Sequence, residues 1–136
     1  MESESAVKTI LVIEDDKLLL KILTKELAAG GYIILSAVSG EEGLQLALTE
    51  HPHLILLDIL LIEMDGIAFL SELREDSWGA RVPVIVLTNL SDAVKINQAL
   101  DKGVRESDYL KKSEWDLKGV LKKVNERLTE EESASP

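Results

Sequence analysis

The 136-residue sequence contains no cysteine. This absence excludes disulfide bonds, zinc sites with thiolate ligands and cysteine nucleophiles, and it is compatible with a reducing compartment. The sequence also has no run of 18 apolar residues, and residues 1–6 lack the basic start and apolar stretch of a secretory signal. We therefore expect neither a membrane span nor export, and we expect a cytoplasmic protein.

Positive charge is also scarce, since 15 Lys and Arg residues stand against 25 Asp and Glu residues, for a net charge of −10. An acidic protein repels phosphate backbones, and here the lysines are spread among acids, so we expect no direct contact with nucleic acid. Apolar residues make up 46% of the chain, which is enough for a core and excludes a disordered acidic chain.

Apolar runs and helical patterns alternate along the chain. The runs predict strands at 9–13, 33–38, 54–57, 82–87 and, more weakly, 108–111; the patterns between them predict helices over 17–29, 41–50, 67–76, 91–102 and from 113 onward. Strands that are apolar on both faces require helices on both sides, so we predict an α/β fold with a doubly wound, five-stranded parallel sheet. The predicted organisation is an acidic N-terminal tail (1–7), one domain (8–129) and a C-terminal tail (130–136), with no room for a second effector domain.

Polar side chains follow the strands at their carboxyl ends, where doubly wound sheets place their functional crevice. Glu14, Asp15 and Asp16 follow the first strand, and Asp58 follows the third; Thr88, Asn89, Lys111 and Lys112 follow the last two. Carboxylates about 4 Å apart repel each other by about 4 kcal/mol at an effective dielectric near 20, so they need a counterion. With only hard oxygen ligands and no histidine near these strand ends, that counterion is predicted to be Mg²⁺.

The same residue types predict phosphoryl chemistry. Thr88 can donate a hydroxyl hydrogen bond and a neighbouring lysine supplies a compact positive charge, which together with Mg²⁺ would neutralise a phosphoryl group. Asp58 then remains as the nucleophile. A purely structural role stays open for the other polar residues at these strand ends, because such residues also form turns, cap helices or lie in solvent. Asp58 is harder to explain in that way, since it lies between two apolar runs.

The sequence resembles the receiver domains of two-component response regulators, of the stand-alone single-domain type, from about Lys8 to Leu128. The resemblance is carried by five motifs in order: Ile10-Leu-Val-Ile-Glu-Asp-Asp16, Leu57-Asp58, Met64-Asp-Gly66, Val86-Leu-Thr88 and Asp108-Tyr-Leu-Lys-Lys112. It implies a flavodoxin-like (βα)5 fold with strand order 2-1-3-4-5.

The resemblance also implies roles for individual residues. Asp58 would be the phosphoacceptor, and Mg²⁺ would be held by Glu14, Asp15, Asp58 and the backbone carbonyl of Leu60. Thr88 would be the switch hydroxyl, Lys112 would pair with the phosphoryl group, and Tyr109 falls at the switch aromatic. The implied protein is a phosphoacceptor signalling domain, not an enzyme, although it assists its own phosphotransfer and dephosphorylation.

The implied partners are a histidine kinase or phosphotransfer protein and a downstream protein target that would bind the surface of helix four, strand five and helix five; phosphorylation-dependent homodimerisation stays open. Leu18 and Leu20 widen the apolar face of the first helix, which favours either a kinase-docking surface or simply a broad buried face.

Several residues depart from the pattern of the family. Ile62 and Ser113 stand where the family usually has proline, Asn89 replaces a small residue, and residues 103–109 form a longer connection. These departures leave Lys111 as a rival to Lys112 and leave open a phosphorylation-independent interaction module with a vestigial pocket. Leu60 argues against a phosphohydrolase, which typically has an acid there, and the lack of a Gly-rich loop after the first strand argues against a flavodoxin-like cofactor carrier.

Overall fold

The computed structural model describes residues 7–59, 65–89 and 92–134. Five parallel strands form one sheet in the order β2-β1-β3-β4-β5, which confirms the predicted fold class and strand order. The strands are β1 (Thr9–Ile13), β2 (Ile33–Ala37), β3 (Leu54–Leu57), β4 (Val84–Thr88) and β5 (Tyr109–Lys111); the helices are α1 (Lys17–Ala29), α2 (Gly40–Glu50), α3 (Gly66–Glu75), α4 (Ala93–Asp101) and α5 (Leu117–Ala134).

The core lies in two layers, one on each face of the sheet. Alternate residues of β1 and β3 point to opposite faces, as the pleat of a strand requires. One layer combines Leu11 and Ile55 with α2, α3 and α4, while the other combines Ile10 and Leu54 with α1 and α5. Burial on both faces explains why these strands have almost no polar residues until they reach their carboxyl ends.

Acidic and hydroxyl side chains begin four of the helices. Asp16, Ser39, Asp65 and Asp92 are the N-caps of α1 to α4, and each accepts a hydrogen bond from a backbone N–H of the first turn. Asp16 therefore has the ordinary role of a cap. Ser91, at which the predicted fourth helix begins, lies outside the described residues, and α4 begins after the cap Asp92.

Helix α5 differs from its predicted bounds at both ends. It begins at Leu117 instead of 113, because residues after β5 turn first and the Asp116 carboxylate accepts a hydrogen bond from the Gly119 N–H at 2.8 Å. It continues to Ala134, so residues 130–134, which we assigned to a tail, are helical. The connection before β5 contains a 3-10 turn over Glu106–Asp108, which shortens the predicted strand to three residues.

No helix within the described ranges combines the length and the apolar character needed to cross a membrane.

Candidate functional site

Strands β1 and β3 bring two carboxylates together at one edge of the sheet. Ile13 pairs with Leu57 in the parallel ladder, so the next residues, Glu14 and Asp58, leave the sheet side by side. The Asp58 N–H donates to the carbonyl oxygen of Ile13 at 3.0 Å, which extends the ladder to the site. Glu14 and Asp58 are buried, Asp15 is half-buried, and one oxygen from each of the three carboxylates lies within 4.8 Å of the others.

Lys112 enters this group from the end of β5. Its Nζ lies 2.9 Å from Asp58 Oδ2 and 2.9 Å from Glu14 Oε1. The Lys112 N–H donates to the carbonyl oxygen of Thr88 at 2.8 Å, which fixes the start of the side chain next to β4. Lys111 instead points away and pairs with Glu114 at 4.0 Å. Geometry therefore places Lys112, and not its neighbour, among the carboxylates.

The charges of Glu14 and Lys112 respond to this environment in opposite ways. Burial raises the pKa of Glu14 to about 6, and the negative charge of Asp58 adds to this, although hydrogen bonds from Lys112 and from the Asp16 N–H lower it. Burial lowers the pKa of Lys112, but its hydrogen bonds to Asp58 and Glu14 outweigh that effect and the pKa lies above its usual value. Lys112 stays charged at neutral pH and balances one of the three carboxylates.

The remaining negative charge fits a hard divalent cation. All three side chains offer carboxylate oxygens, which Mg²⁺ prefers, and their spacing would let them share one ion. Both histidines lie elsewhere: His51 ends α2, and His53 Nδ1 accepts a hydrogen bond from Thr9 N–H at the opposite end of β1. Leu60, whose backbone carbonyl was the fourth predicted ligand, lies outside the described residues, as does Ile62.

Thr88 and Tyr109 lie on β4 and β5, the two strands that follow β3 in the sheet. Thr88 is completely buried at the end of β4, and Tyr109 is half-buried in β5, opposite Val86. Burial raises the pKa of the Tyr109 phenol, and the negative charges of Asp58 and Asp92 raise it further, so the phenol lies within electrostatic reach of the site. Our sequence reasoning missed Asp92; its signal was an acidic cap position directly before α4.

Gly66 of the Met64-Asp-Gly motif has a steric role beside Asp58. A Cβ at this position would lie 2.5 Å from the Ile59 Cα and 3.2 Å from the Asp58 carbonyl oxygen. The Gly66 N–H donates to the Ile59 carbonyl oxygen at 2.8 Å. Glycine therefore allows the start of α3 to close against the backbone that carries Asp58.

An apolar surface next to Lys112 comes from α1 and from the turn before α5. Leu18 is 70% exposed, Ile22 39% and Trp115 38%, whereas Leu20 is buried. We expected Leu18 and Leu20 to widen the apolar face of this helix, but the observed phase of α1 buries Leu20 and exposes part of Ile22. The pocket between these elements is lined by Leu19, Ile22, Leu23, Leu87, Lys112, Trp115, Leu117 and Val120.

Known proteins share both the sequence pattern and the fold. A family model described as the response regulator receiver domain matches residues 10–125. The chain is 37% identical over 122 residues to "Probable transcriptional regulator ycf27" of Porphyridium aerugineum, covering 85% of this chain and 49% of that protein. It is 35% identical over 119 residues to "DNA-binding dual master transcriptional regulator RpaA" of Synechocystis, covering 88% and 48%.

Solved structures agree with this match. A receiver domain protein (CheY-like) from Methanospirillum hungatei superposes with a TM-score of 0.86 at 26% identity, covering 96% of this chain and all of that one. The receiver domain of the Francisella response regulator 1452 gives a TM-score of 0.78 at 27% identity, with coverages of 90% and 98%.

The prediction that nucleic acid is not a partner is wrong by these comparisons. RpaA is named a DNA-binding regulator, and ycf27 and the 32% identical PhoP of Bacillus subtilis are named as transcriptional regulators. The chain spans about half the length of these curated relatives. Our prediction rested on the net charge of this chain, and that charge carries no information about the half of each relative that the chain does not span.

Proposed function

We propose that Asp58 accepts a phosphoryl group from a phosphohistidine, on the ground that this chain belongs to the family of response regulator receiver domains. This modification would switch the surface of α4, β5 and α5. The observation that carries the proposal is the buried Asp58 carboxylate, held 2.9 Å from Lys112 Nζ and beside Glu14 and Asp15. The donor would be a histidine kinase or a phosphotransfer protein, and the receiver domain would span residues 8–129.

Phosphotransfer would form a bond between an Asp58 carboxylate oxygen and phosphorus while the N–P bond of the donor breaks, leaving its electron pair on the imidazole nitrogen. Lys112 would neutralise part of the charge on the phosphoryl oxygens, since its Nζ already contacts Asp58. Glu14, Asp15 and Asp58 would hold Mg²⁺, which supplies further positive charge to those oxygens. Burial of Asp58 limits the access of water to the acyl phosphate.

The switch would act through Thr88 and Tyr109. The Thr88 hydroxyl, at the end of the neighbouring strand, would donate a hydrogen bond to a phosphoryl oxygen, and Tyr109 would move toward the space that Thr88 leaves. This movement would favour one arrangement of α4, β5 and α5 over another. Because the curated relatives are named transcriptional regulators, we propose that the output of this switch is transcriptional control.

The apolar surface of Leu18, Ile22 and Trp115 would contact the phosphodonor protein. It borders Lys112, so a protein that covers it would place its phosphohistidine near Asp58. Ile22 and Trp115 line one pocket with Lys112, and exposed apolar side chains that cluster are typical of protein contacts.

The direct test is phosphorylation by a small donor. The wild-type protein and Asp58→Asn are incubated with acetyl phosphate and Mg²⁺, and intact mass is measured; Asp101→Asn, at an exposed position of α4, is the matched control. We expect a phosphoryl adduct on wild type and Asp101→Asn only, and none after chelation of Mg²⁺. Absence of the adduct from all three proteins would favour the phosphorylation-independent interaction module.

A further inference from the structure

Asp108 is a buried carboxylate outside the acidic site. It lies in the 3-10 turn directly before β5 and is 1% exposed. Lys123 Nζ lies 3.2 Å from its Oδ1, and Arg127 Nε donates to its Oδ2 at 3.0 Å. Arg127 also pairs with Glu131 on the next turn of the helix. One side chain thus connects the start of β5 to successive turns of α5.

The strand that follows Asp108 is short and lies at the edge of the sheet. β5 has three residues and a single neighbour, β4, in the sheet. At its carboxyl end the Lys112 N–H bonds to Thr88, and at its amino end stands the Asp108 cluster. Tyr109 lies between these two attachments. Because a short edge strand has little ladder of its own, the contacts at its two ends contribute to its position together with the buried Leu110.

The last turns of α5 are held by the buried side chain of Leu128 and by the same cluster. Arg105 pairs with Glu130 at 2.6 Å and Lys8 with Glu132 at 3.4 Å, but the Glu130 and Glu132 side chains are 52% and 43% exposed. Exposed pairs of this kind contribute little. Removing one partner of a buried group is costly, because the other charge stays buried without compensation. The family match ends at residue 125, so Asp108 and Lys123 lie within it and Arg127 lies beyond it.

We propose that Asp108 is a positioning residue that couples the position of Tyr109 to the docking of residues 127–134 of α5. Asp108 and Tyr109 are adjacent, so a movement of the tyrosine displaces the carboxylate from Lys123 and Arg127 and loosens the end of the helix. The proposal rests on the proposed function in one respect: phosphorylation of Asp58 is what moves Tyr109. Coupling is reciprocal, so a loosened helix end also shifts Tyr109.

The test is hydrogen exchange of the α5 end, measured by mass spectrometry on the full chain with and without acetyl phosphate and Mg²⁺, with the adduct quantified in the same samples. In wild type we expect exchange over 127–134 to become severalfold faster in the phosphorylated protein. In Asp108→Asn and in Lys123→Met, exchange over 127–134 should already be fast in the unphosphorylated protein. It should not change on phosphorylation, although the adduct forms. Glu132→Gln removes an exposed ion pair at the same helix end and should keep the faster exchange on phosphorylation. If Asp108→Asn does not fold, Lys123→Met alone tests the cluster.

The outcomes separate this proposal from the proposed function. An adduct on wild type without a change at the α5 end would overturn the coupling and leave phosphorylation intact. If no adduct forms, Tyr109→Ala replaces the phosphoryl group as the perturbation. It should accelerate exchange at the α5 end severalfold in the wild-type background and add nothing in the Asp108→Asn background; equal effects in both backgrounds would refute the role of Asp108.

Discussion

Replacing Glu14 with glutamine should stabilise the protein in the absence of Mg²⁺ while weakening its response to the ion. Burial raises the pKa of Glu14 from 4.5 to about 6. Each unit of pKa corresponds to about 1.4 kcal/mol, so ionised Glu14 costs the folded state about 2 kcal/mol at neutral pH. Glutamine keeps the shape and a hydrogen-bonding oxygen but carries no charge. We expect Glu14→Gln to raise the free energy of unfolding by about 1 to 2 kcal/mol, and Tm by about 3 to 7 °C.

The pH dependence of this difference identifies its cause. Below about pH 4.5 Glu14 is protonated in both the folded and the unfolded chain, and the variant gains little. Between pH 4.5 and about 6 the unfolded chain releases the proton first, so the stability contributed by this residue falls as pH rises. Above that range the free-energy cost of ionised Glu14 to the folded state is constant. The advantage of Glu14→Gln over wild type should therefore grow from near zero at pH 4 to its full value at pH 7.

Urea unfolding without Mg²⁺ at a series of pH values measures this difference, with Glu72→Gln at an exposed position of α3 as the control. A saturating ion should then reverse the order: Mg²⁺ at about 100 times its dissociation constant stabilises a protein by about 2.7 kcal/mol, and Glu14→Gln should lose much of that gain. If Glu14→Gln is less stable than wild type at pH 7 without the ion, the ion pair with Lys112 outweighs burial and the reasoning is wrong.

Three other substitutions test separate parts of the structure. Lys112→Met should slow phosphorylation by acetyl phosphate about 10²-fold, as expected for a lost charge at the phosphoryl group, whereas Lys111→Met, at a half-exposed neighbour, should change the rate by less than about twofold. Leu18→Lys should slow transfer from a phosphohistidine protein and leave acetyl phosphate unaffected; equal loss with both donors would exclude a docking role. Arg74→Met should reduce the free energy of unfolding by about 3 to 5 kcal/mol, because its guanidinium bonds three backbone carbonyls at 2.7 to 2.8 Å. Arg81→Met, at an exposed position, should change it by less than about 0.5 kcal/mol in the same urea titration.

The strands and the acidic group could be predicted because both follow from local pattern. A central strand of this sheet is buried on both faces, so its apolar run is continuous and its end is marked by the first polar residue. Glu14 and Asp58 stand at such ends, and parallel pairing brings those ends to one edge. No longer-range information was needed to group them.

The phase of α1 and the bounds of α5 could not be predicted in this way. Leu18, Leu20 and Ile22 are all apolar, so the pattern alone does not say which side of α1 faces the sheet. At α5 the start depends on Asp116 accepting a hydrogen bond from Gly119, and Ser113 looks like an equally good cap in the sequence. In both cases several positions satisfy the local rule, and tertiary packing selects among them.

Buried ionic groups outside the site were also beyond local pattern. Arg127 and Lys123 lie among many charged residues of α5, a pattern that is typical of a solvent-exposed face. Their partner Asp108 lies directly before β5 and is almost fully buried. Only the folded arrangement shows that these charges compensate one another. The long connection at 103–109, which appeared as a departure from the family, is the segment that carries Asp108 into this position.

The balance of charge within each buried group indicates where the protein needs an ion. Asp108 faces two cations from α5, one of which also pairs with Glu131, so the two carboxylates of this cluster are compensated by fixed side chains. Among the described residues, Glu14, Asp15 and Asp58 are three carboxylates that share the single cation Lys112, and burial together with the negative charge of Asp58 raises the pKa of Glu14. A divalent cation gains most where carboxylates outnumber cations, because there it replaces repulsion with attraction. Mg²⁺ should therefore stabilise the acidic site and leave the Asp108 cluster unaffected, and the substitution of Glu14, not of Asp108, should reduce its binding.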